Sequence, residues 1–432
     1  MVAQTLFLIL IIASIWLFTK NIQKIIRNIK LGRSADRGDR VMMRVKTMFR
    51  VAFGQSKMAV RPVPAALHFF VYVGFIIINI EILEILIDGL FGTHRVFQGF
   101  GKVYDFLIGT FEILALSVWL GCAVFLIRRN VLKLKRFNGA EMTSWPKSDA
   151  NYILVIEILL MSAFLTMNAA DVKLQALKVS HYLPAGSFPV SSFFVPLLPE
   201  SSQSLILLER GCWWFHIIGV LASLNYLPYS KHLHILLAFP NTYFSNLKPK
   251  GALTNMTTVT NEVKAMLNPL LIPAQAVSEK FGAKDVGDLS WVNLMNAYTC
   301  TECGRCTSVC PANLTGKALS PRKIMMDTRD RATEVGRNID KRGLEFQDGK
   351  SLLDDYIKRE EIWACTSCNA CVEACPVNID PLEIIIELRR YAVMEESGAP
   401  ASINSMMSNV ENNQAPWKYS PADRLNWARA KG

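Results

Sequence analysis

The sequence predicts an all-α protein in which five membrane-spanning helices precede a helical water-soluble domain. Three observations carry this. Five apolar runs of bilayer-spanning length fall within the first 239 of 432 residues. The charges between those runs alternate from strongly basic to nearly balanced. Eight of the ten cysteines are gathered into two tight groups beyond residue 290. The overall balance agrees, with 51% hydrophobic and only 19% charged residues.

The first apolar run covers Val2 to Phe18. No positive charge precedes it and no small-residue cleavage site ends it, so it reads as a retained helix with its N-terminus outside. Residues 20–61 then carry twelve Lys or Arg against two Asp, the mark of a cytoplasmic loop. The second span runs from about Pro64 to Leu90, with Pro64 acceptable in a first turn. The third runs from about Val103 to Ile127, and Arg128, Arg129, Lys133, Lys135 and Arg136 follow it inside. The fourth covers about Tyr152 to Met167. Residues 171–203, nearly charge-balanced, suit an outer loop. The fifth runs from about Leu205 to Leu237. Five spans from an outside N-terminus leave the remainder in the cytoplasm, and residues 1–239 form one transmembrane domain.

Residues 240–290 read as a connector, broken by Pro240, Pro249, Pro269 and Pro273. Residues 291–395 hold the cysteine groups. Residues 396–432, with Pro400, Pro416 and Pro421, read as an extended tail, which the resemblance given below implies contacts a partner subunit. The net charge of +11 resides in membrane-flanking loops, not in a basic stripe, so no nucleic-acid partner is expected. Gly99 and Gly101 lack the strand–helix context of a dinucleotide fingerprint.

Cys300, Cys303, Cys306 and Cys310 precede Pro311; Cys365, Cys368, Cys371 and Cys375 precede Pro376. Both groups read C-x2-C-x2-C-x3-C-P, a pattern in which three thiolates wrap one [4Fe–4S] cluster and the fourth serves the other cluster. One cluster is therefore expected on Cys300, Cys303, Cys306 and Cys375. The second is expected on Cys365, Cys368, Cys371 and Cys310. Structural zinc sites use paired C-x2-C units instead. The 54 residues between Cys310 and Cys365 exclude a minimal bacterial ferredoxin. Cys122 and Cys212 read as small buried apolar residues.

Haem b in a helical bundle needs two imidazoles at one depth. His68 lies about one turn into the second span, and His234 lies near the same side of the membrane on the fifth. His216 precedes His234 by 18 residues, five helical turns, and so shares its face on one continuous helix. On that helix His232 points away. An isolated histidine would serve as an interfacial contact; the matched depth of His68 and His234 is what points to haem. Glu81 and Glu84 lie about 20 and 24 Å beyond His68 along the second span. Carboxylates there either handle quinone protons or sit neutral and hydrogen-bonded inside the bundle.

Two resemblances follow from these residues. Pro228-Tyr-Ser-Lys-His-Leu-His234 resembles the end of the fifth helix in cytochromes b of the nitrate reductase gamma-subunit type. That resemblance implies a cytochrome b-like five-helix bundle with haem b on His68 and His234. It matches His216 to a ligand of a second haem, whose other ligand position holds Ile78, beside Asn79. The stretch Tyr298-Thr-Cys-Thr-Glu-Cys-Gly-Arg-Cys306, continuing through Thr315-Gly-Lys-Ala-Leu-Ser-Pro-Arg322, resembles electron-transfer-flavoprotein:menaquinone oxidoreductases and their heterodisulfide reductase relatives. The spacing between the cysteine groups likewise resembles the α-helical ferredoxin domain of such iron–sulfur subunits. These resemblances imply the bacterial inner membrane, menaquinone as substrate, and an electron-transfer flavoprotein as soluble donor. The family fuses this layout to cysteine-rich CCG domains. The sequence has no Cys-Cys pair, while Glu411 to Trp427 resembles the segment leading into those domains, so a separate CCG subunit is expected. The function expected is that of a quinone-linked oxidoreductase subunit. The alternative is an electron-relay anchor without its own quinone site, serving a CCG partner of the heterodisulfide reductase type.

Overall fold

The computed structural model describes residues 1–268, 280–418 and 420–429. Every described element is helical, and the only β pairing among them is two isolated bridges, Arg33 with Ser290 and Leu353 with Ile357. The chain divides into two units. The first comprises Met1–Arg27, Arg40–Tyr243 and Tyr298–Gly304; the second comprises Asn28–Asp39, Phe244–Ala297 and Arg305–Gly432.

The first unit is built from α1 (Val2–Ile29), α2 (Val41–Met48), α3 (Pro62–Phe91), α4 (Lys102–Leu126), α5 (Trp145–Ala176), α6 (Ser202–Tyr226) and α7 (His234–Tyr243). Of these, α1, α3, α4, α5 and α6 are long and apolar enough to cross a membrane. In hydrocarbon a helix satisfies its own backbone, which is why apolar runs of this length fold so. Neighbouring helices α3–α4, α4–α5 and α5–α6 pack in sequence order. Small residues set the approach. A Cβ on Gly74 would lie 2.5 Å from Val118 of α4, and one on Gly219 would lie 2.5 Å from Leu160 of α5. Ile78, Ile108, Phe111, Phe164 and Ile217 fill the core, joined by Phe7 of α1.

Two spans exceed the sequence expectation. Helix α1 continues past Phe18 because Asn21, Ile25 and Asn28 recur at helical spacing and are buried. Helix α5 extends to Ala176 because Asn168, Asp171 and Lys173 are buried and hydrogen-bonded instead of ending the span. The fifth span is shorter than expected. It does not continue to Leu237: after α6 the chain makes two short 3₁₀ turns around Pro228, and Ser230 is extended, φ −116° and ψ 153°. Proline removes a donor and restricts its neighbours, so the helix stops there. The face shared by His216 and His234, inferred from unbroken helical phase, is lost with it.

The second unit contains α8 (Thr257–Leu267), α9 (Trp291–Thr299), α10 (Pro311–Leu314), α11 (Pro321–Arg342), α12 (Arg359–Trp363), α13 (Ala370–Ala374), α14 (Pro381–Met394), α15 (Ala401–Asn413) and α16 (Asn426–Arg429). The end of α9 is counted with the first unit. Helix α14 packs against α11, α12 and α13 over a core that includes Leu294, Ile324, Ile384 and Leu388. The two longest helices follow the cysteine groups and start alike. Ser320 caps α11 and Asp380 caps α14, each followed by proline in the first turn. The tail after residue 396 is not extended throughout, since α15 forms where thirteen residues run free of Pro and Gly. Pro269 and Pro273 of the expected connector lie outside the described residues.

Candidate functional site

The two cysteine groups share a backbone. Glu302 and Gly304 have φ of 54° and 70°; Ser367 and Asn369, at the same offsets in the second group, have φ of 56° and 61°. Left-handed residues two and four positions after the first cysteine curl each loop. In the second unit, α13 packs against the 307–309 turn, which precedes Cys310. Burial pushes the Cys371 thiol well up, with Asp380, Cys365 and Cys310 adding to the effect. Burial likewise raises Cys365, with Cys310 and Cys368 adding. Cys310 therefore stands near Cys365 and Cys371 across 54 intervening residues.

These residues fit an iron–sulfur cluster. Thiolates crowded in a dry setting repel one another until cations join them, and backbone amides favour the charged sulfur. Ser367 donates its N–H to Cys365 Sγ at 3.4 Å, and Ile379 donates to Cys375 Sγ at 3.3 Å. Among the described residues no three His, Cys, Asp or Glu side chains converge as a single metal ion would require.

At one end of the bundle three histidines gather. His68 donates from Nδ1 to Gln55 Oε1 at 3.1 Å, and His234 donates from Nδ1 to the Lys231 carbonyl at 3.0 Å. The His232 ring lies 5.9 Å from the His234 ring. Its pKa is lowered to about 3, by burial first and then by His234 and His68. Helical phase had turned His232 away; the break at Pro228 brings it in. That proline was the signal available in the sequence. His216 is deep in the bundle, 1% exposed, with Nδ1 donating to the Leu160 carbonyl at 3.1 Å. In His68, His216 and His234 the acceptors are oxygens, so Nδ1 carries the proton and Nε2 keeps a lone pair. An orienting bond on one ring nitrogen is what an imidazole ligand needs. His68, His234 and His216 thus fit axial ligation of haem; the His232 ring makes no such bond to the described residues.

The segment bearing these histidines is clamped. Asp149 of α5 accepts from Tyr226 at 2.5 Å, from Ser230 Oγ at 2.7 Å and from the Lys231 backbone N–H at 3.0 Å. Lys231 Nζ donates to the Pro146 carbonyl at 2.6 Å and pairs with Glu302, which sits between Cys300 and Cys303. The two side chains are 8% and 2% exposed. Burial lowers the Lys231 pKa, and Glu302 and Asp149 oppose that shift.

At the other end Glu81 and Glu84, paired by the sequence, have different surroundings. Glu84 accepts from the Phe97 N–H at 2.9 Å and from Tyr104 at 3.0 Å. Glu81 is 3% exposed, and its Oε2 has no hydrogen-bond partner among the described residues. Arg95, absent from the sequence-based candidates, centres this region. It donates to Asp171, to Tyr104 at 3.0 Å and to Asn168 at 2.9 Å. A lone loop arginine carries no pattern by which sequence could have singled it out.

Comparisons with known proteins agree with the soluble half of this picture. A family model described as a 4Fe-4S dicluster domain matches residues 299–379, which hold all eight grouped cysteines. The chain is 27% identical to the probable iron-sulfur-binding oxidoreductase FadF of Bacillus subtilis, over 98% of this chain and 60% of that protein. It is 25% identical to the EtfAB:quinone oxidoreductase of Syntrophomonas wolfei, over 92% of this chain and 55% of that protein. It is also 34% identical to one subunit of the ferredoxin/F(420)H(2)-dependent CoB-CoM heterodisulfide reductase of Methanosarcina acetivorans, over 23% of this chain and 49% of that protein. The chain thus spans about 60% or less of the length of these relatives. No solved structure matches it. It is a multi-pass membrane protein with an iron–sulfur dicluster domain, similar to quinone oxidoreductases and heterodisulfide reductases.

Proposed function

We propose that this chain passes electrons between a soluble donor and a membrane quinone, with two [4Fe–4S] clusters and haem b as carriers. The observation that carries the reading is the buried Lys231–Glu302 pair. It joins the loop of Cys300 and Cys303 to the segment of His232 and His234 inside one packed unit. A cluster on that loop and a haem on His68 and His234 would share one rigid support. When bound, the clusters and haem supply one-electron carriage. The chain's own residues orient them: the Asp149 clamp fixes the histidine segment, the Nδ1 bonds aim the imidazoles, and the backbone N–H groups bias the sulfurs. On this reading Cys300, Cys303, Cys306 and Cys375 hold one cluster, and Cys310, Cys365, Cys368 and Cys371 hold the other. The relative from Syntrophomonas supports an electron-transfer flavoprotein as donor and a quinone as acceptor, of which menaquinone is our choice. The basic 20–61 loop supports a cytoplasmic iron–sulfur domain and an outside N-terminus. A CCG-bearing partner completes the complex.

The test is anaerobic mixing of the purified full chain with menadiol. Reduction of the cluster absorbance at a rate set by menadiol concentration is expected. Clusters that respond to dithionite but never to menadiol would overturn the quinone reading and leave an electron-relay anchor.

A further inference from the structure

The bundle end remote from the three histidines holds more buried acid than its architecture uses. Glu81, Glu84, Asp88, Glu112 and Asp171 are all at most 9% exposed, and they surround one guanidinium, Arg95, itself 7% exposed. Four of the five are committed to fixed bonds. Asp88 takes the N–H groups of Arg95 and Val96, at 2.7 and 3.2 Å, and the Thr93 hydroxyl. Glu84 takes Phe97 and Tyr104. Glu112 takes Asn168 at 3.2 Å and the N–H groups of Val190 and Ser191 at 2.8 and 3.0 Å. Asp171 takes Arg95 and, at 3.3 Å, Gln175.

Glu81 alone in this set keeps a buried oxygen with no partner among the described residues. Its carboxyl interacts electrostatically with Arg95, Glu84, Glu112 and Asp171, so it faces the cluster. A proton exchanges most freely at the group without fixed bonds. A second unfilled atom lies toward the loops. His94 Nε2 has no hydrogen-bond partner among the described residues and stands 3.5 Å from Asp171, with the side chain 10% exposed. The His94 ring in turn lies 5.4 Å from that of His181, which is exposed. Arg95 with Asp171, His94 and His181 therefore form a file toward the loop surface, and Glu81 lies buried within the electrostatic reach of its inner end.

We propose that Glu81 is the proton-exchanging carboxyl for a quinone in this half of the bundle, and that Asp171, His94 and His181 conduct its protons to the loop face. The proposal rests on the quinone reading above. Reduction of one quinone takes two electrons, supplied by the chain's redox carriers, and two protons. At each proton transfer the Glu81 O–H bond breaks as a quinone O–H bond forms, and a proton arriving by way of His94 restores the acid. Quinol oxidation runs the same steps backward. Arg95 stays charged and holds Asp171 in position.

Two readouts test this on the full chain. Glu81→Gln, which keeps size and polarity, should slow menadiol-driven cluster reduction about 100-fold. Dithionite-reduced cluster spectra and iron content should not change, and Glu81→Asp should recover part of the rate. Redox-driven infrared difference spectra should contain a protonated-carboxyl band in the parent that Glu81→Gln lacks. Parent-like menadiol kinetics in Glu81→Gln would overturn the proposal while leaving the quinone reading intact. A parent protein inert to menadiol would sink the quinone reading and the proposal with it.

Discussion

Lys231 and Glu302 form a buried ion pair that ties the segment of His232 and His234 to the loop of Cys300 and Cys303. The lysine stands among the proposed haem ligands and the glutamate between two cysteines, so each charge is placed beside residues of the proposed redox centres. A buried pair of this kind adds little net stability but costs much when half of it is removed.

Lys231→Met should therefore remove a buried partner of Glu302 and cost about 3–5 kcal/mol. The expected signs are a lower temperature for thermal loss of cluster absorbance and less iron bound per chain. Lys231→Met combined with Glu302→Met should regain most of the loss. A double variant as damaged as the sum of the singles would show that the two residues act independently.

Orientation of the rings separates the three clustered histidines. His68→Ala and His234→Ala should each remove most of the haem b measured by pyridine haemochrome. His232→Ala should keep it and change only its reduction potential, because no Nδ1 bond aims that ring. Haem lost in His232→Ala but kept in His234→Ala would exchange their roles.

Arg331 is a buried charge that several acids of the iron–sulfur unit share. Its side chain is 4% exposed and reaches Asp285, Asp348, Glu334 and the Lys350 carbonyl. Arg331→Met removes the cation those acids share and should cost about 3–5 kcal/mol, read as an earlier thermal loss of cluster absorbance.

Burial pushes the Asp327 carboxyl up to about 6, against the pull of Lys323. The folded value lies above the unfolded one. Its favourable contribution is thus complete below about pH 4 and is lost as pH rises through the folded value. Asp327→Asn should match the parent below about pH 4 and exceed it by about 3 kcal/mol at pH 8. The check is the midpoint of denaturant unfolding followed across that range. A gain that shrinks with rising pH would contradict the assignment.

The helical spans and the cysteine groups were legible because each rests on local chemistry. Apolar length dictates a spanning helix, and C-x2-C-x2-C-x3-C-P dictates a loop that curls the same way twice. What the sequence hid depends on long-range partners. Helical phase failed at His232 because one proline outweighs four turns of periodicity. Glu81 and Glu84 look equivalent one turn apart, and only the loop residues Phe97 and Tyr104 distinguish them. Asn168 and Asp171 look like span breakers until Glu112 and Arg95 arrive from other segments. The polar tail hid α15 because its prolines drew attention away from the thirteen residues between them.

The most direct test of the account is the number of haem b and iron atoms per chain after anaerobic purification. About one haem and about eight irons are predicted, the haem on His68 and His234 and the iron in two cubanes. A full complement of iron with no haem would contradict the central claim, because the histidine end joined to the cysteine loop by Lys231 and Glu302 would then carry no electrons.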